Sequence, residues 1–382
     1  MYVTYTRIYG WSDYGGESSY QPGYRLENMM WMTLLVYDYI IPGDNFLPPI
    51  IHSKRDMTMN YIVMDLEWNQ SYNGHMGEHP RMPFEIIEIG AVKVDKNLNI
   101  IDEYSSLIKP KIYKKLHSKI RTILNYDEND LNLGRGFKEV CSEFLEWCGD
   151  NYIFCTWGPM DLTELQTNMD FYYMDKLPRP LKFLNLQSIY ASITNQSGSP
   201  QTMSKLEKAV SEMNIPENEP FHTALNDARY TALVMKEMKV KNINQLYSFD
   251  LYIAPKDKAE EIEEFHNNQY EYISRIFKNK QVALDDKKVT EIKCFKCNKK
   301  VKTYIDWFSN SPSSYMCVGK CWMHGCFCGK IKFKTSNNSY YIQKTIKPID
   351  KAGIEAIKQK QEDIREKRKE KRHMKSSGSS IK

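Results

Sequence analysis

Tyr61-Ile62-Val63-Met64-Asp65-Leu66-Glu67 is an apolar run that ends in two carboxylates one residue apart. An extended strand points alternate side chains to the same face. Asp65 and Glu67 would then stand side by side, about 7 Å apart along the backbone at roughly 3.3 Å per residue. Two acids on one face of a buried strand repel each other and lose their hydration. A hard divalent cation with oxygen ligands would balance them. The same pattern also marks an ordinary strand that surfaces into solvent, so the rest of the chain has to decide.

Downstream, Asn69 to Pro83 is polar and carries Gly74, Gly77, Pro80 and Pro83, which makes it a loop. Phe84 to Val94 is rich in β-branched residues and predicts a second strand. Asp95-Lys96-Asn97 is a turn, and Ile100 to Ile108 predicts a third strand, closed by Pro110. Three strands at this spacing imply an antiparallel meander. Phe137, Val140, Cys141, Phe144, Leu145 and Cys148 recur at helical spacing before Gly149. Tyr152 to Trp157 reads as a short buried strand, and Asp161 opens another helix. Ser204 and Glu207 have the spacing of a capping box in front of Leu206, Ala209, Val210 and Met213. Thr223 to Met238 carries Ala224, Leu225, Ala228, Ala232 and Met235 on one stripe. Strands first, then alternating helices and strands, predict an α/β fold with a mixed sheet.

The 382 residues leave room for two or three domains. A formal net charge of +5 is a weak pointer to nucleic acid, but Lys358 to Lys375 is dense in Lys and Arg. The first apolar run, Met29 to Ile41, contains Asp38 and is too short to span a bilayer, so no membrane partner is expected. No secretory signal is visible, and the chain is expected to be cytoplasmic. Cys141, Cys148 and Cys155 sit in apolar surroundings and read as core. The other six cysteines are clustered, and in a reducing compartment a cluster means metal more readily than disulfides.

Three acidic pieces fall at the ends of predicted elements. They are Asp65-x-Glu67, Asp161 after Trp157-Gly158-Pro159, and His222 five positions before Asp227. A charge beside the apolar stripe around Asp227 is costly unless it is paired. Converging at one sheet edge, the four carboxylates would hold two divalent cations about 4 Å apart, suited to clamping a phosphodiester. His222 would take a proton from the attacking water.

The ordered set resembles the DEDDh 3′→5′ exonucleases, which have a ribonuclease-H-like fold. MDLEW, EIIEIGAVKVD, TWGPMD and FHTALNDARYTALV are similar to one branch. That branch holds the histone-mRNA and RNA-interference exonucleases and the bacterial exonucleases named for the KinA sporulation pathway. The resemblance covers roughly residues 61–240. It implies that Asp65, Glu67, Asp161 and Asp227 are ligands for two Mg²⁺ or Mn²⁺ ions. It implies that His222 is the general base and that Leu66 and Trp68 contact the 3′-terminal nucleotide. Two departures stand out: Ile120 to Asn132 lacks the Thr-Gly turn often found there, and Pro159 stands where the branch commonly has an acid.

Cys294-x2-Cys297 followed by Asn298, and Cys321-x2-His324 followed by Gly325, read as two knuckles of a structural Zn²⁺ site. Cys317, Cys326 and Cys328 compete for the ligand positions, and the Asn and Gly that follow the two knuckles favour Cys294, Cys297, Cys321 and His324. Lysines interleaved with Trp307 and Phe308 suit phosphate contact and base stacking, or simply a solvated surface.

The expected architecture is a ribonuclease-H-like mixed sheet flanked by helices, plus a small zinc-ribbon-like module and a C-terminal helix. Residues 1–58 would be a poorly ordered extension, with Met57 and Met59 as alternative starts. Residues 59–240 would be the exonuclease domain, 241–290 a helical connector, 291–340 the zinc module, and 341–382 a basic helical tail with a disordered end. The expected activity releases nucleoside 5′-monophosphates from the 3′ end of single-stranded nucleic acid, RNA in preference. The alternatives are a proofreading-type DNA exonuclease and a non-catalytic nucleic-acid-binding protein that uses the zinc module.

Overall fold

β1 (Asn60–Gln70) lies at the centre of a six-stranded sheet and is buried on both faces. Its alternation feeds two cores. Tyr61 and Val63 pack into one, and Ile62, Met64 and Leu66 into the other. A computed structural model describes residues 59–124, 127–194, 203–266, 268–294, 296–336 and 338–378. The expected extension over residues 1–58 lies outside them, as do residues 379–382.

β2 (Phe84–Val94) pairs antiparallel with β1, and β3 (Ile100–Leu107) pairs antiparallel with β2, which gives the predicted meander. Two short helices follow, α1 (Ser118–Ile123) and α2 (Glu128–Leu133), and then the predicted amphipathic helix α3 (Phe137–Cys148). β4 (Tyr152–Thr156) runs parallel to β1. α4 (Met160–Phe171) leads to β5 (Lys182–Asn185), parallel to β4. α5 (Leu186–Thr194), α6 (Leu206–Glu212) and α7 (Ala224–Glu237) complete the layer over one face, while α3 and α4 cover the other. A two-residue strand, β6 (Ser248–Phe249), closes the order β3-β2-β1-β4-β5-β6. This is a ribonuclease-H-like mixed sheet flanked by helices, and Cys141, Cys148 and Cys155 are core residues in it. The Ser204 capping box does not form. Lys205 holds the N-cap of α6, because the Ser204 carbonyl is held by Trp157 Nε1 at 3.0 Å and Gln187 Nε2 at 2.9 Å.

The remainder is larger than a helical connector and a ribbon. β7 (Ile262–His266) and β8 (Gln269–Ile273) form a hairpin where a helical connector was expected. Their charged residues alternate with Phe265, Tyr270 and Tyr272, and cross-strand pairing outweighs the helical reading of the charges. α8 (Lys280–Asp285) and α9 (Lys287–Thr290) are short. β9 (Lys302–Ser311), β10 (Ser314–Cys321), β11 (Gly325–Ser336) and β12 (Ser339–Ile349) then build a second six-stranded sheet, order β7-β8-β12-β11-β10-β9, antiparallel throughout. Residues 341–349 are thus strand rather than tail. α10 (Lys351–Gly378) is the predicted basic helix, continuing past Met374. All the described residues belong to one compact unit, Met57–Lys382. Phe249, Ala254, Ile273 and Tyr341 pack together where the two sheets meet.

One glycine sets the relation of α7 to the first sheet. A Cβ on Gly90 would stand 2.1 Å from the Ala224 carbonyl carbon and the Leu225 nitrogen. Only a residue without a side chain lets the start of α7 lie that close to β2. We predict that Gly90→Ala lowers stability by about 1–3 kcal/mol or more through overpacking. Urea unfolding would read this as a lower midpoint at unchanged slope. A midpoint equal to that of the parent would contradict the close approach.

Candidate active site and metal centres

Asp65 faces Gly90 across the β1–β2 ladder, and Glu67 faces Glu88. Strand period two therefore puts Asp65, Glu67 and Glu88 on the face that α7 covers. A bulge between Glu67 and Trp68 ends the regular alternation just beyond the acids. Asp227 lies in the first turn of α7, where the helix dipole favours an anion. Thr223 caps this helix by accepting the Asn226 N–H. One carboxylate oxygen each of Asp65, Glu67 and Asp227 lies within 4.8 Å of the others.

Asp161 enters from the first turn of α4, 5% exposed. The Leu66 amide and its own amide bond its carboxylate, which ties the helix start to the end of β1. His222 sits in the turn before α7, with φ of +68°, and its N–H points at the Asp227 carboxylate at 3.3–3.4 Å. The structure thus brings the five residues of the sequence motif to the carboxyl-terminal edge of the parallel strands. Leu66 is 3% exposed and packs in the core, so its main chain rather than its side chain borders the site. Trp68 is part-buried against Phe84, with ring centroids 6.1 Å apart.

The electrostatics are those of acids crowded together out of water. Burial pushes Asp65 well above the usual carboxylate range, and Asp161, Asp227 and Glu67 add repulsion. Burial and Asp227 push Glu67 to about 8. Burial likewise lifts Asp161 to about 7, against the opposing Leu66 amide, and Asp227 to about 7, against the His222 amide. Among the described residues, no Lys or Arg forms an ion pair with any of the four. A set of hard oxygen donors without a cationic side chain fits divalent metal ions.

Sequence reasoning missed Glu88. Its Oε2 accepts the Ala224 N–H at 3.2 Å, so it fastens α7 to β2 while adding repulsion to Asp65, Glu67 and Asp227. The signal was a charge between Ile87 and Ile89, within the apolar stretch Ile86 to Val92.

Residues 62–235 match the model of the exonuclease family RNase_T. This stretch is an exonuclease domain. The chain is similar to a protein of Bacillus subtilis (strain 168) described as a probable 3′–5′ exonuclease, KapD. The two are 27% identical over 173 residues, covering 45% of this chain and 80% of the relative. It is also similar to the nuclease domain of 3′hExo, a DEDDh family member solved with rAMP, at 18% identity and a TM-score of 0.43, covering 51% of this chain and 98% of that one. A full-length 3′-exonuclease is similar at 19% identity and a TM-score of 0.40, covering 47% and 81%.

The second sheet carries a separate cluster. Cys294, Cys297, Cys321 and His324 bring one ligand atom each within 4.8 Å of the rest. Cys294 Sγ is 3.4 Å from His324 Nδ1, Cys321 Sγ is 3.7 Å from the same nitrogen, and Cys297 Sγ is 3.9 Å from Cys321 Sγ. Ligands about 2.3 Å from a tetrahedral ion lie roughly 3.8 Å apart, so these edges fit zinc. Asn298 and Gly325 both take the left-handed conformation, with φ of +54° and +86°. Desolvation raises Cys321, but the Met323 and His324 amides and the His324 ring outweigh it and bring the thiol down to about 6. The competing thiols face elsewhere. Cys317 is buried in the core against Gly329, and Cys326 and Cys328 lie on the opposite face beneath α10.

The raised carboxylates predict a pH-dependent stability in the metal-free protein. Groups held above their unfolded values stabilise the fold while protonated. That contribution is complete below about pH 4 and is lost as pH rises through about 7–8. In EDTA, the melting temperature should fall between about pH 5 and pH 8.5. Mg²⁺ or Mn²⁺ should raise it most at the alkaline end. A flat profile in EDTA would contradict the desolvated cluster.

Proposed function

We propose that this chain removes nucleoside 5′-monophosphates from the 3′ end of single-stranded nucleic acid, with RNA preferred over DNA. The observation that carries the reading is the convergence of Asp65, Glu67 and Asp227 within 4.8 Å, with Asp161 beside them and no cationic side chain paired to them among the described residues. In this reading Asp65, Glu67, Asp161 and Asp227 hold two divalent ions, Mg²⁺ or Mn²⁺. Such ions supply Lewis-acid activation of water and stabilisation of the leaving oxygen when bound.

The protein's own groups do the rest. His222 takes the proton of the attacking water, and its backbone amide keeps Asp227 oriented toward the cluster. The Leu66 amide holds Asp161 in line with the end of β1. The Leu66 main chain and the Trp68 ring border the place of the terminal nucleotide. RNA preference is supported by the sequence resemblance to the RNA-acting branch and by the basic second sheet and α10. Cys294, Cys297, Cys321 and His324 hold a structural Zn²⁺ in the same reading, and reduced clustered thiols fit a cytoplasmic location.

The test uses 5′-labelled single-stranded RNA and DNA of matched sequence with Mg²⁺, Mn²⁺ or EDTA. The parent protein should yield a ladder shortening from the 3′ end, faster on RNA, and none in EDTA. Asp65→Ala should abolish the ladder, and His222→Ala should slow it by about 10²–10⁴-fold. Intact substrate under every metal condition, with the strand still bound, would support the non-catalytic alternative instead. For the second centre, metal analysis should find one zinc per chain, lost in Cys297→Ser together with thermal stability. A zinc-free parent protein of unchanged stability would overturn that assignment.

A further inference from the structure

The face of the second sheet away from the Cys/His cluster looks across a cavity of about 520 Å³ toward the exonuclease domain. Alternation on β11 and β12 decides what lines it. Ile331, Phe333, Ile342 and Ile346 point to the buried cores on one side. Lys330, Lys332 and Lys347 therefore point to the other, on adjacent antiparallel strands where Lys330 pairs with Thr345 and Lys347 with Cys328. Asn185, at the end of β5, and Ser188 of α5 form the opposite wall.

Three ammonium groups on neighbouring strands repel each other. Among the described residues, none of the three makes an ion pair or a side-chain hydrogen bond. The one carboxylate in the lining, Glu271, is occupied: it meets His266 Nε2 at 2.8 Å and accepts from Gln343 Nε2 at 2.6 Å. Partial desolvation, then the neighbouring lysines, push Lys330 and Lys332 down, and Lys360 of α10 adds to the repulsion on Lys330. Desolvation also lowers Lys347, although Glu271 opposes it. The cavity volume is in the range of ligand sites, about 300–1,000 Å³. A wall of three cations whose one neighbouring carboxylate is engaged elsewhere, faced by hydroxyl and amide groups, has the chemistry of a phosphate site.

Its position adds to this. Asn185 pairs with Thr156 of β4, and β4 runs parallel beside β1. The cavity thus opens at the same edge of the first sheet as the carboxylates, about two strand spacings across, or roughly 10 Å. We propose that the Lys330–Lys332–Lys347 cleft holds backbone phosphates of the single strand whose 3′ end lies at the carboxylates, a few nucleotides upstream of that end. This rests on the exonuclease reading for the identity of the strand. The lysines would then contribute length-dependent grip, while the carboxylates act on the terminal linkage.

The experiment compares a 16-nucleotide oligouridylate with a tri-uridylate that is too short to reach the cleft. Binding is read by anisotropy in Ca²⁺, and turnover in Mg²⁺. Replacing all three lysines with Gln (Lys330→Gln, Lys332→Gln, Lys347→Gln) should weaken 16-mer binding at least tenfold. The salt slope should become shallower by about two, since each single-strand phosphate contact contributes about 0.7. Loss of kcat/KM on the 16-mer should exceed that on the trimer at least tenfold. Should the triple variant melt early, Lys332→Gln with Lys347→Gln, both exposed positions, should still show the length-selective loss. The matching Arg replacements should keep affinity within about threefold, because the positive charge is retained.

Unchanged 16-mer affinity, or equal loss on both lengths, would overturn the proposal. So would inorganic phosphate binding that is lost in the variant while 16-mer affinity persists, since the occupant would then be a free anion. A parent protein that binds but never degrades the strands would sink the exonuclease reading, and the binding comparison would still be readable.

Discussion

The carboxylate site depends on a helix lying against a strand with no side chain between them. At Gly90 the backbone of α7 comes so close that any Cβ would collide with Ala224 and Leu225. That contact places the first turn of α7 over Asp65, which faces Gly90 in the ladder. Glu88 completes the join by accepting the Ala224 N–H. The acids therefore meet because the backbone geometry requires it, although their charges oppose it. The cost of crowding is borne by the cores above and below β1, where Val63, Met64 and their neighbours are wholly buried. A rigid sheet edge can hold desolvated carboxylates apart from water in a way that a flexible loop cannot.

The second sheet divides its labour by face. One side buries Ile331, Phe333 and Ile342 and carries the segment with the Cys/His cluster, so it reads as structural support. The other side carries unpaired lysines and α10. The small formal net charge of +5 hides this arrangement, because Asp65, Glu67, Asp161 and Asp227 gather at one edge of the first sheet and Lys330, Lys332 and Lys347 stand across from it. A segregated field of this kind draws a polyanion toward one path over the surface.

Much of the first domain was legible in the sequence because its periods are clean. β1 to β3 and α3 follow hydrophobic alternation or helical spacing, and their bounds match within a residue, except that β1 runs three residues past Glu67, to Gln70 in the expected loop. The motif residues were legible because Asp65 and Glu67 interrupt an apolar run, while Asp161, His222 and Asp227 stand at or beside helix starts. Glu88 was not, since it hides within a strand whose apolar neighbours dominate. The second sheet was missed for a different reason. Lys330-Ile331-Lys332-Phe333-Lys334 alternates strictly, but the cysteines nearby drew attention to a small ribbon. Ile262 to His266 is too short and too acidic for propensity to identify, and its pairing with β8 depends on tertiary context. The left-handed residues after each knuckle were readable, because only Asn or Gly tolerates that turn readily.

β6 is only two residues long, yet it changes what counts as a separable part. It pairs with β5, which would otherwise be the bare edge of the first sheet. Phe249 within it packs on Ile273 and Tyr341 of the second sheet, and Lys182 of β5 reaches Glu264 at 2.8 Å. The stretch matched to the exonuclease family ends at residue 235, before any of this. Cutting the chain there would bare a strand edge and an apolar patch together, the two features that most readily drive chains to associate. In this protein the catalytic module and its appendage form one compact unit, and the border drawn by family resemblance is not a border in the packing.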